Sequence, residues 1–169
     1  MKPLYEGQAV SVISPDPGNP AILELQFNLK DDSVNKFNAV TLEELREAVS
    51  AIQGKASQTQ GLLLTSGKGV FVVGADVTEF LEHFKRSEEE LAGWLGQINK
   101  VFSDIEDFPF PTVTAINGFA LGGGFEVALT TCYRVMAADT KVWLPETKLG
   151  IYPGWGGTVR LSRLCGADN

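Results

Sequence analysis

At 169 residues the chain is about one domain in length, and its 44% apolar and 21% charged residues suit a globular protein with a sizeable core. A net charge of -7 and the lack of any Lys/Arg run exclude nucleic acid or an anionic membrane surface as the main partner. No window approaches the ~20 apolar residues of a membrane span, and residues 1–7 contain no apolar signal core, so a cytoplasmic protein with no integral membrane segment is expected.

Residues 9–13 and 21–27 alternate, with Val10 and Val12 in the first and Leu23, Leu25 and Phe27 against Glu24 and Gln26 in the second. The Pro- and Gly-rich residues 14–20 between them predict a β-hairpin with a long loop. Thr41 and Glu44 have the spacing of a capping box, ahead of Leu42, Leu45, Val49 and Ile52 at helical spacing, and Gly54 closes that helix. Residues 62–65 read as a short buried strand. The strand-like run from Phe71 stops at Gly74, after which Asp76 and Glu79 form a second capping box. Ser87 and Glu90 form a third, opening the clearest helix of the chain. Its face of Leu91, Trp94, Leu95, Ile98, Val101, Phe102 and Ile105 reads as core packing rather than a cofactor surface. Prolines at 109 and 111 end it.

Residues 112–116 then have strand character, and Gly122, Gly123 and Gly124 lie at a predicted strand-to-helix turn, with residues 127–131 as a short buried helix. Residues 134–138 are a further strand candidate, 142–158 read mostly as loop, and a short helical stretch runs from Thr158 to Leu164. Strands alternating with helices predict an α/β layer fold. Cys132 and Cys165 are far apart, there is no C-x-x-C and only one histidine, so neither a metal site nor a disulfide is indicated, and both cysteines read as buried thiols.

Chemistry concentrates in three stretches. Glycine lacks Cβ, so backbone N–H groups at a Gly-rich helix start come close to a ligand oxygen, and the helix start adds unpaired donors. Ala75 and Gly123 are the donors so placed. Glu126 follows in an otherwise apolar segment where an acid is costly unless paired or used, and Glu146 follows Pro145 in the later loop. Each alone has a bland reading as a cap, a satisfied buried acid or a surface acid. Together they make an oxyanion hole with an acid/base pair. Neither G-x-G-x-x-G nor G-x-x-x-x-G-K-[ST] is present, which argues against nucleotide phosphate.

The run Gly74, Ala75, Asp76, the run 117–126 and the run 144–158 closely resemble the enoyl-CoA hydratase/isomerase (crotonase) superfamily, in collinear order over nearly the whole chain. Residues 33–37, 73–80 and 150–154 are most similar to its multifunctional fatty-acid-oxidation branch, whose members are much longer. The resemblance implies a crotonase-like (ClpP/crotonase) spiral of ββα units, here 1–169 as one domain cut before the C-terminal helices. It implies a thioester oxygen held by the N–H groups of Ala75 and Gly123, Glu126 and Glu146 as the catalytic acids, and Gly74, Asp76, Gly122 and Trp143 as substrate contacts. The implied reaction is hydration of a 2-enoyl-CoA, with enoyl-CoA isomerase activity beside it. Isomerisation alone, thioester hydrolysis, or a non-catalytic assembly role are the alternatives. No cofactor beyond the coenzyme A of the substrate and no metal is implied, and the longer protein is expected as an oligomer or in complex with a thiolase subunit. Two positions depart from the family pattern: Cys132 stands where Asp is usual, and Trp143 where a small residue is usual, a bulky ring that either fills part of the expected ligand path or packs outward.

Overall fold

The computed structural model describes residues 2–83 and 85–166. Chain order is β1 (Tyr5–Glu6), β2 (Val10–Ile13), β3 (Ile22–Phe27), α1 (Ala39–Gln53), β4 (Gly61–Ser66), α2 (Val77–His83), α3 (Glu88–Glu106), β5 (Thr112–Ile116), β6 (Phe119–Leu121), α4 (Gly123–Ala128), β7 (Tyr133–Met136), β8 (Lys141–Trp143) and α5 (Gly157–Cys165). A six-stranded sheet runs β1-β2-β3-β4-β5-β7, antiparallel through β3 and parallel from β3 onward. Strands β6 and β8 form a separate parallel pair.

The alternation read in β2 and β3 is the cause of their pairing: Val12, Leu25 and Phe27 face the core while Glu24 and Gln26 do not. Helices α1 and α3 pack on each other, and both turn buried side chains inward, Leu45, Ala48, Val49 and Ile52 from α1 and Ile98, Val101, Phe102 and Ile105 from α3. Phe27, Phe37, Phe71 and Phe102 join edge-on or tilted contacts across this core, with ring centroids within 5.9 Å. The Ser87–Glu90 capping box is present with both hydrogen bonds.

Other local expectations are corrected. Helix α1 begins earlier than the Thr41–Glu44 spacing suggests, because Asn38 is its cap and accepts from the Thr41 N–H at 2.8 Å. Glu44 is thereby released to reach across the fold, where its carboxylate accepts from the backbone N–H groups of Gln8, Ala9 and Val10. Asp76 caps α2 through the Thr78 N–H and hydroxyl rather than through Glu79, whose carboxylate takes the Ala39 N–H instead. The Gly run is preceded by an unexpected strand, β6, and the helix after it starts at Gly123 instead of 127. Both cysteines are exposed, not buried: Cys132 lies at the entry to the edge strand β7, where its N–H donates to Thr112 Oγ1 at 2.9 Å. Among the described residues no helix is long and apolar enough to cross a membrane.

Candidate active site

Glu126 and Glu146 are far apart in sequence and meet because β6 and β8 are parallel neighbours, with Leu121 opposite Trp143. Both strands therefore release their chains at the same end. Beyond β6 come the glycines and the first turn of α4, which carries Glu126; beyond β8 come Pro145 and Glu146, the latter opening a 3-10 turn. A third segment runs alongside: Val72 bridges Ala120 in parallel and accepts the Leu121 N–H at 3.0 Å, so Gly74 and Ala75 arrive at that end too. Ligand sites outside the carboxyl ends of parallel strands follow from this kind of topology.

The segments approach too closely for side chains. Gly122 has φ +50, and a Cβ there would lie 2.7 Å from Glu146 Oε1. At Gly124 a Cβ would land inside the Val72 carbonyl oxygen. The three glycines are thus a packing requirement of the site as well as a helix start.

Between the segments lies a cleft of about 140 Å³, lined by Gly74, Ala75, Gly122, Gly123, Glu126 and Glu146 among apolar side chains that include Trp94, Leu95, Ile151 and Trp155. The Gly122 N–H is used by the Trp143 carbonyl at 3.0 Å, whereas the N–H groups of Ala75 and Gly123 make no hydrogen bond among the described residues. Those are the two donors a developing oxyanion in this cleft would meet.

The acids differ in surroundings. Glu126 is 2% exposed, and its Oε1 accepts from the Trp155 N–H at 2.9 Å and the Gly157 N–H at 2.8 Å. Burial pushes its carboxyl up to about 7, against the pull of those two donors, with Glu146 adding repulsion and Arg160 opposing it. Glu146 is also buried, its Oε2 has no hydrogen-bond partner among the described residues, and burial raises its carboxyl as well. A buried carboxyl oxygen without a partner is rare in folded proteins and marks a place where a ligand group or a proton completes the site.

Six expected site residues, Gly74, Ala75, Gly122, Gly123, Glu126 and Glu146, therefore come together on the cleft. Asp76 and Trp143 do not line it. The Asp76 carboxylate is held at about 2, mainly by its bond to Lys36 at 2.8 Å and by Thr78, and works as a helix cap. Trp143 contributes only its backbone carbonyl. The residue is 41% exposed and its ring packs edge-on against Phe119, because side chains alternate along β8 and Val142 takes the inward position. Conversely, sequence reasoning missed Trp94 and Leu95 as cleft walls, since it assigned their whole helix face to the core. It also missed the Trp155 and Gly157 N–H donors; the available signal was the Gly-rich run 154–157 following the second acid. No group of three His, Cys, Asp or Glu side chains is placed to hold a metal among the described residues.

In comparisons with known proteins, residues 18–169 match the family described as enoyl-CoA hydratase/isomerase. A fatty acid oxidation complex subunit alpha from Pseudomonas entomophila is 55% identical over 166 residues, which cover 98% of this chain and 23% of that relative. The protein of the same name from Pseudomonas aeruginosa is 57% identical over 166 residues, again 23% of its length. The chain thus spans under a quarter of these curated relatives. Among solved structures, an enoyl-CoA hydratase from Bacillus anthracis superposes with a TM-score of 0.79 at 33% identity, covering 95% of this chain and 59% of that one.

Proposed function

The chain belongs to the enoyl-CoA hydratase/isomerase family, and from that premise we propose that it adds water to 2-trans-enoyl-CoA to give 3-hydroxyacyl-CoA in fatty acid β-oxidation. The observation that carries this reading is the pairing of two buried acids with two unused N–H donors on one small cleft. The thioester oxygen accepts from the Ala75 and Gly123 N–H groups, which draws electron density from the enoyl group and makes Cβ electrophilic. Glu126, with Oε1 pinned by two donors, uses its remaining oxygen to take a proton from water as that water's oxygen bonds to Cβ. Glu146 delivers a proton to Cα, and the thioester carbonyl re-forms. A carboxyl poised near 7 is suited to that exchange at neutral pH.

Migration of a double bond from C3 to C2 needs one group that moves a proton between carbons, and the unpartnered Glu146 Oε2 supports assigning this isomerase step to Glu146. The Pseudomonas relatives, subunits alpha of a fatty acid oxidation complex, support the further proposal that the chain works within such a complex. The test is loss of the conjugated enoyl-thioester absorbance when the purified chain meets short and long 2-enoyl-CoA. No hydration above background with either substrate would sink the proposal.

A further inference from the structure

Arg160 on α5 is 8% exposed and does not line the cleft, and its guanidinium is spent on three partners. Nε donates to Glu106 Oε2 at 2.8 Å, Nη1 to the Trp155 carbonyl at 3.0 Å and Nη2 to Ser103 Oγ at 3.5 Å. The middle bond matters, because Trp155 is also the residue whose N–H grips Glu126. The loop leaves no slack there. Gly156 sits at φ +96, where a Cβ would collide with the guanidinium, and its carbonyl accepts the Val159 and Arg160 N–H groups that start α5. At the other end, Asn99 Nδ2 on α3 donates to the Gly154 carbonyl at 2.9 Å, and the Trp155 ring is wedged against Phe37 and Phe102 at 5.5 and 5.8 Å.

The Glu106 pair does not by itself account for a buried guanidinium, since the Glu106 side chain is 44% exposed and half-open ion pairs contribute little. From this geometry we infer that Arg160 is a positioning residue for Glu126: it locks the 154–157 loop so that the Trp155 and Gly157 N–H groups fix one carboxylate oxygen and leave the other facing the cleft. The inference rests on the reading of Glu126 as the base in the hydration step. The ionisable groups acting on the Glu126 carboxyl among the described residues are Glu146, which repels its charge, and Arg160, which favours it.

The test uses Arg160→Gln and Arg160→Lys in the whole chain, with two readouts. One is the 13C-detected titration of the Glu126 carboxyl, assigned by its disappearance in Glu126→Gln; the other is kcat and KM for hydration. In Arg160→Gln the titration midpoint is expected to move to higher pH, and kcat to fall by up to about 10²-fold with little change in KM, the scale of a small misplacement of a reacting group. Arg160→Lys restores the charge without the planar fork, so its midpoint returns toward the native value while kcat stays low. A folded Arg160→Gln with native midpoint and native kcat overturns the inference. If Arg160→Gln does not fold, full kcat in Arg160→Lys overturns it instead. The titration needs no catalysis, so a chain without hydratase activity sinks the functional reading while the carboxyl midpoint still reports whether Arg160 acts on Glu126.

Discussion

Replacing Glu126 with Gln is expected to make the protein more stable above neutral pH while removing its hydration activity. The amide keeps an oxygen where the Trp155 and Gly157 N–H groups donate, so the local geometry survives. In the folded chain the Glu126 carboxyl titrates at about 7 instead of the ordinary 4.5, chiefly because burial penalises the charge. Between those values the folded state keeps a proton that the unfolded state has released. The stability from that proton is complete below about pH 4.5 and is lost as pH rises through about 7. At about 1.4 kcal/mol per tenfold change in proton affinity, the loss comes to roughly 3 kcal/mol. Urea unfolding of both proteins at about pH 5 and about pH 8 reads this group together with its repulsion on Glu146, since the remaining carboxyls are common to the pair. The stability difference should move in favour of the variant between the two pH values by about that amount, while hydration falls ~10²- to 10⁴-fold. A pH-independent difference, or one that moves toward the native protein at high pH, refutes the assignment of the raised carboxyl to Glu126.

Glu146→Gln should lower hydration and isomerisation alike by ~10²- to 10⁴-fold without weakening CoA-thioester binding. Isomerisation of a 3-enoyl-CoA that suffers as much from Glu126→Gln as from Glu146→Gln would contradict the proton traffic assigned here. Gly124→Ala forces a methyl into the Val72 carbonyl and is expected to cost about 1–3 kcal/mol, read as a lower urea midpoint. Trp143→Ala should leave the preference between short and long 2-enoyl-CoA unchanged, because the ring lies outside the cleft; a shifted profile would put it back in the ligand path.

Long periodic elements were legible in the sequence because each carries enough repeats to declare its period. The α3 face and its capping box, the β2–β3 hairpin and β5 all follow from residues visible in order. Strands β1, β6 and β8 were not, since two or three residues cannot display an alternation and owe their conformation to a partner elsewhere. Glu44 and Glu79 failed as local caps for the related reason that their carboxylates find backbone donors far along the chain. The residues at the cleft were readable where local chemistry is unusual: adjacent glycines, and acids in apolar or proline-stiffened surroundings. Trp143 misled because size gives no direction; only the pleat of β8 decides which side of the strand a side chain takes.

The three-residue ladder of β6 and β8 also limits how the acid pair varies among related sequences. Pairing in a sheet is quantised: a slip moves one strand by a whole residue, about 3.3 Å, and turns every side chain to the opposite face. The separation of Glu126 and Glu146 therefore does not drift by small amounts as substitutions accumulate around it; it holds while the ladder holds, and jumps if the ladder shifts. Insertions and deletions in the exposed turn 137–139, which lies just before β8, leave both acids in place as long as Ala120 still meets Val142. A single-residue deletion within β8 itself would carry Glu146 out of reach of its partner although no catalytic group had been changed.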